Sequence, residues 1–165
     1  MKFVLTRCVV AFVAIAPTFA QAQSTGVTAV LSMQRVEVVG GATVLKTVTA
    51  VNPGDLIEYS TVYRNDGANA VTKMRAVIPI PAGATYQAAS AVPIGAQASL
   101  NGIDFEAMPV IRTMRQPDGS ERKIEVPLGR YRALRWELGT LLPAQSTTVR
   151  LRAQIDRPEP VAAPK

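Results

Sequence analysis

The sequence predicts an all-β chain: an immunoglobulin-like antiparallel β-sandwich of about seven to nine strands, preceded by a signal peptide. Apolar and polar residues alternate with a period near two along most of the chain, as half-buried strands require. Turn signals built on Gly or Pro interrupt that alternation roughly every 8 to 15 residues. No stretch beyond residue 22 shows a convincing helical periodicity.

Residues 1–22 read as a secretory leader. Lys2 and Arg7 flank or precede an apolar run from Cys8 to Ala16, followed by Pro17 and the A-x-A site Ala20-Gln21-Ala22. The run is about half the roughly 20 residues that a membrane span needs, and no later stretch repeats it. The mature chain is therefore expected to be exported, to the periplasm or outside the cell, with no transmembrane segment. Cys8 heads the apolar run instead of following it, so it does not sit where a lipoprotein is acylated. It is the sole cysteine of 165 residues, so the mature chain has no disulfide and must be held by its core. Residues 23–156 are expected to form one domain. The tail 157–165, with Pro158, Pro160 and Pro164, is expected to be disordered.

The first strand is expected over Val27 to Val39, ending at Gly40-Gly41-Ala42, with Thr43 to Val51 as its return or as the next strand. Asn52-Pro53-Gly54-Asp55 is a turn in which Pro fixes φ at one central position and Gly allows φ > 0 at the next. From there Ile57, Tyr59, Thr61 and Tyr63 share one face, opposite Glu58, Ser60 and Arg64, until Asn65-Asp66-Gly67 closes the strand. Thr72, Met74, Ala76 and Ile78 share one side of the next strand, from Ala70 to about Ile78, opposite Lys73 and Arg75. Pro79 and Pro81 end that strand, because neither can donate to a ladder. Asn101-Gly102, between Ser99-Leu100 and Ile103-Asp104-Phe105, predicts a tight hairpin, and Pro117-Asp118-Gly119 a second. In the last two strands Leu134, Trp136 and Leu138 alternate with Arg135 and Glu137, and Val149, Leu151, Ala153 and Ile155 with Arg150, Arg152 and Gln154. Pro143-Ala144-Gln145 joins them. The expected core includes Tyr59, Trp136, Leu138, Val149 and Leu151.

Several of these residues bear a family likeness. Asn52-Pro53-Gly54-Asp55, the strand through Ile57 and Tyr59, Asn65-Asp66-Gly67, Ile80-Pro81-Ala82-Gly83, and Trp136-Glu137-Leu138-Gly139 before Leu142-Pro143 resemble the conserved-repeat domain called domain of unknown function eleven. The likeness spans about residues 50–155. It implies an immunoglobulin-like sandwich of bacterial surface or secreted proteins, and no catalytic activity. Ile78 stands where that family usually carries an Asp, and the chain holds one copy instead of an array.

Composition narrows the chemistry. The chain has no His, and with the leader gone no Cys, so the usual proton shuttles, thiolate nucleophiles and zinc ligands are missing. Ser60, Ser90, Ser99 and Ser146 lie in no nucleophile motif. Asp55, Asp66, Asp104 and Asp118 have turn spacing, not that of a calcium loop. No enzyme, metal or cofactor is expected. The regional anomaly is charge: Arg112, Arg115, Arg122, Lys123, Arg130, Arg132 and Arg135 stand against Asp118, Glu121 and Glu125. Such a segment reads first as a solvated hairpin guarding a strand edge, and second as a docking surface for an anionic envelope component or acidic protein patch. Nucleic acid is not expected, since no aromatic platform interleaves with the arginines. The remaining expectations are structural or adhesive contact in the envelope, self-association by strand addition from the segment Gly26 to Val51, and, as an alternative, a periplasmic small-ligand or metal-binding module.

Overall fold

Alternation starting at Val27 produces β1 (Val27–Val39), and the Gly40-Gly41 pair turns it directly into β2 (Ala42–Thr47). Both glycines lie in the left-handed region, with φ of +60° and +82°, as a two-residue hairpin turn demands. The computed structural model describes residues 26–158, so the expected leader and most of the expected tail lie outside the described residues.

After the Asn52–Asp55 turn come β3 (Leu56–Asn65), β4 (Val71–Pro79) and the short β5 (Ala84–Tyr86) and β6 (Gln97–Ser99). They are followed by β7 (Glu106–Ala107), β8 (Ile111–Arg115) and β9 (Glu121–Glu125). A single 3₁₀ turn at Leu128–Arg130 precedes β10 (Ala133–Leu141) and β11 (Ser146–Ile155). One sheet has the order β2-β1-β3-β11-β5 and the other β4-β10-β6-β7, so nine strands make the sandwich; β8 and β9 pair only with each other. All the pairings are antiparallel. The fold is an all-β sandwich.

Its core lies between the two sheets. Ile57 and Tyr59 from β3 and Val149 and Leu151 from β11 meet Ala76 and Ile78 from β4 and Leu134 and Trp136 from β10. Trp136 is buried, and its indole Nε1–H donates to the Pro93 carbonyl at 2.8 Å, which satisfies its one polar atom. Tyr86 and Tyr131 stack with ring centroids 6.0 Å apart, and each hydroxyl accepts a backbone N–H, from Ala91 and Val110 respectively. Ile78 is fully buried in this core.

Four sequence expectations need correction. Leu138 packs against the core from a half-buried position, because the β10–β4 register skips it between Glu137 and Gly139. A compensating irregularity follows in β4, where Lys73 takes φ +53°. Thr72, expected to share the face of Met74, Ala76 and Ile78, is exposed beside it while those three are buried. Asn101-Gly102 does not form a two-residue hairpin: β6 ends at Ser99 and β7 begins at Glu106. Between them the Asn101 side chain accepts from the N–H groups of Ile103 and Asp104, so it folds the loop by a side-chain turn instead. The return strand β2 stops at Thr47, short of the expected Val51.

Candidate functional site

The basic segment divides into three environments. Arg112 makes a two-pronged ion pair with Glu106, its Nη1 donating to Oε2 at 2.8 Å. That pairing holds the Glu106 carboxyl below its usual range and raises the guanidinium of Arg112. Arg135 is not a free surface cation. It lies 4.5 Å from the Phe105 ring centroid, donates to Gln97 at 2.6 Å and has Nε 3.3 Å from Glu137. It is a latch for the β6–β7 loop. Arg115, Arg122 and Lys123 lie exposed on the β8–β9 hairpin, and Arg130 and Arg132 exposed on the 3₁₀ turn and just beyond it. These five have no ion-pair partner among the described residues. On the hairpin, Arg115 pairs in register with Glu121 and Met114 with Arg122, so cations are interrupted by an acid and by apolar groups.

Beside the hairpin base lies a groove of about 740 Å³ that the sequence did not suggest. The Tyr86–Tyr131 stack, Met108, Val126 and Leu128 line it, and Ile94, 98% exposed, stands at its rim. Glu125 is its one charged lining residue. Among the described residues no group of acidic, His or Cys side chains could hold a metal ion, and no described helix is long and apolar enough to cross a membrane.

The third feature is an open strand edge. β1 pairs with β3 from Val27 to Arg35, but with β2 only from Gln34 to Val39. On its β2 side, therefore, the stretch from Val27 to Met33 has no strand beside it among the described residues. The register sets Ala29, Leu31 and Met33 opposite Tyr63, Thr61 and Tyr59, hence on the core-facing side. Yet Leu31 is 55% and Met33 43% exposed, because the second sheet does not reach this far. Val30, on the outer face, is 59% exposed. Where β2 leaves β1, a groove of about 500 Å³ opens between Leu31, Met33, Thr47 and Val48.

Charged groups frame this edge, and they are neutralised locally. At one end Asp66 accepts from Arg64 Nε and from the Thr28 hydroxyl, both at 2.7 Å. At the other, Glu37 binds Lys46 and Arg35, and Arg35 reaches Asp55 at 3.5 Å. The Lys46 contact first, then Arg35, holds the Glu37 carboxyl below its usual range. Between the two clusters the sequence VTAVLSM has no charge, Pro or Gly, so it lacks the usual protections of an edge strand.

No protein-family model matches the chain, and comparison with curated proteins and with solved structures gave no significant match.

Proposed function

We propose that this chain is an exported immunoglobulin-like module that acts without catalysis, by protein contact in the cell envelope or at the surface, through strand addition at β1. The carrying observation is the open, uncharged edge Val27–Met33 with its uncovered apolar side chains. An incoming strand would complete the backbone hydrogen bonds of alternate residues and cover Leu31 and Met33. The leader-like residues 1–22 and the turn and core residues that resemble those of the conserved-repeat domain support the compartment and the class. The free cations of the hairpin and 3₁₀ turn serve this reading as a secondary, electrostatic contact with anionic envelope components. Photocrosslinking in intact cells tests it: a photoreactive residue at Ser32 is expected to yield protein adducts, and one at exposed Thr140 to yield none. Adducts from neither position would overturn the contact reading.

One observation favours a second reading, the small-ligand module. The groove over the Tyr86–Tyr131 stack is apolar, which suits an aliphatic or aromatic ligand and gives a sugar or metal little but Glu125 to bind. Titration calorimetry with a medium-chain fatty acid is expected to show heat with a negative heat-capacity change if this groove is the site. Leu128→Arg should abolish that heat. Silence with the unaltered protein would remove this reading.

A further inference from the structure

We infer that the occupant of the β1 edge is a second copy of the same chain, paired antiparallel about a two-fold axis at Val30; this rests on the strand-addition reading above. The open stretch has seven residues, bounded at one end by Thr47 of β2, which pairs with Gln34. An antiparallel copy centred on Val30 uses all seven, and each copy's Gly26 leaves beside the other's Thr47. Val27 then lies opposite Met33, Thr28 opposite Ser32, Ala29 opposite Leu31, and Val30 opposite its own counterpart.

This register satisfies both faces at once. On the inner side the large exposed residues Leu31 and Met33 meet the smaller Ala29 and Val27. On the outer side Val30 meets Val30, flanked by hydroxyl pairs from Thr28 and Ser32, which are favourable cross-strand combinations. The hydrogen-bond phase agrees. Gly26 O accepts from Asp66 N, which makes the even residues of β1 face β3 and leaves the odd ones to face the open side. With the axis at Val30, the odd residues become the hydrogen-bonded pairs and Val30 sits in a non-bonded pair.

Charge permits a second copy at this edge. Without Lys2 and Arg7 of the expected leader the chain keeps 16 basic against 12 acidic side chains, net +4, so two copies meet without like-charge repulsion only where the surface is locally neutral. At this edge the segment is neutral, and the flanking cations Arg64, Arg35 and Lys46 are each paired with Asp66, Glu37 or Asp55 of their own chain. The result is a continuous ten-stranded sheet across two sandwiches, with an isologous interface.

A cysteine placed on the axis reads this geometry directly. In the full chain with Cys8→Ser, Val30→Cys is expected to form an intermolecular disulfide under mild oxidation, because a non-bonded antiparallel pair brings Cα atoms to about 4.5 Å. Val38→Cys, more exposed at 73% but at the far end of the hairpin, is expected not to. Sedimentation equilibrium of the native chain is expected to show a concentration-dependent dimer, and Val30→Lys to weaken it at least tenfold, with the same thermal midpoint as the native chain at dilutions where both are monomeric. A native chain that stays monomeric, or equal crosslinking at both cysteines, would overturn the proposal. A monomer in vitro together with Ser32 adducts to a different protein in cells would overturn it while leaving the contact reading in place. Protected β1 amides in a monomer would assign the edge to a terminal segment of the same chain, and would overturn both.

Discussion

Asn65 shows how a single polar side chain closes one end of the sandwich. It is fully buried at the end of β3, donates to the carbonyls of Asn69 and Leu141 at 2.8 and 2.9 Å, and accepts from Gly67 N–H at 3.0 Å. Asn65→Ala leaves the Asn69 and Leu141 carbonyls without this donor, while the Gly67 N–H keeps the Gly26 carbonyl at 3.1 Å; at about 1 to 3 kcal/mol per unpartnered buried group, urea denaturation should show a loss of about 2 kcal/mol. Trp136→Ala removes the largest fully buried side chain and frees the Pro93 carbonyl. It is expected to cost about 3 to 5 kcal/mol by the same measurement. Asp66 is held below its ordinary value of 3.8, first by the Thr28 hydroxyl and then by Arg64. A depressed folded-state value means that its contribution is complete above the unfolded value and disappears as pH falls through the folded one. Carboxyl NMR titration should therefore place the Asp66 midpoint below 3.8, and Thr28→Val should move it upward.

The strands differ in how openly the sequence declared them. β1 was legible to the residue, because alternation begins at Val27 and two glycines end it at Val39. The β8–β9 hairpin followed from Pro117-Asp118-Gly119. Asn101-Gly102 misled because the same Asn that favours a tight hairpin can instead cap a wider loop with its side chain, and only tertiary context selects between them. Leu138 misled because alternation assumes an unbroken ladder, and a skipped residue carries no compositional mark. The open edge was half legible. The segment Gly26 to Val51 was recognisable as available for strand addition, but the gap itself depends on β2 leaving at Thr47. The groove over Tyr86 and Tyr131 was not legible, since its walls come from four separate segments. At the β1–β2 turn, Gly41→Ala forces a side chain into φ +82°, at about 1 to 2 kcal/mol. Hydrogen exchange should report the change as faster amides from Val38 to Thr43, with the β3–β11 ladder unaffected.

The molecule as a whole is a sandwich with unequal layers. Five strands face four, and the four include the two-residue β7, so the larger sheet overhangs at β1 and β2. Burial concentrates between β3, β11, β4 and β10, and the overhang contributes little to it. The described residues contain no cysteine, so that shared core and the hydrogen-bonded sheets must hold the fold without a covalent tie. Stability and the proposed contact thus lie in different parts of the same sheet. If the β1 edge is the contact, changes at Val30 or Ser32 alter what the molecule meets, whereas changes at Ile57 or Leu151 alter whether it folds.

The β8–β9 ribbon belongs to neither layer. Val126 N–H donates to the Val110 carbonyl at its base, and from Ile111 to Lys123 every residue is exposed. Its tip at Pro117-Asp118-Gly119 can therefore accept foreign sequence without disturbing the interior. An epitope inserted after Asp118 should leave the melting temperature unchanged. Antibody access to that epitope on whole cells, compared with lysed ones, would then report whether the domain is displayed outside the cell.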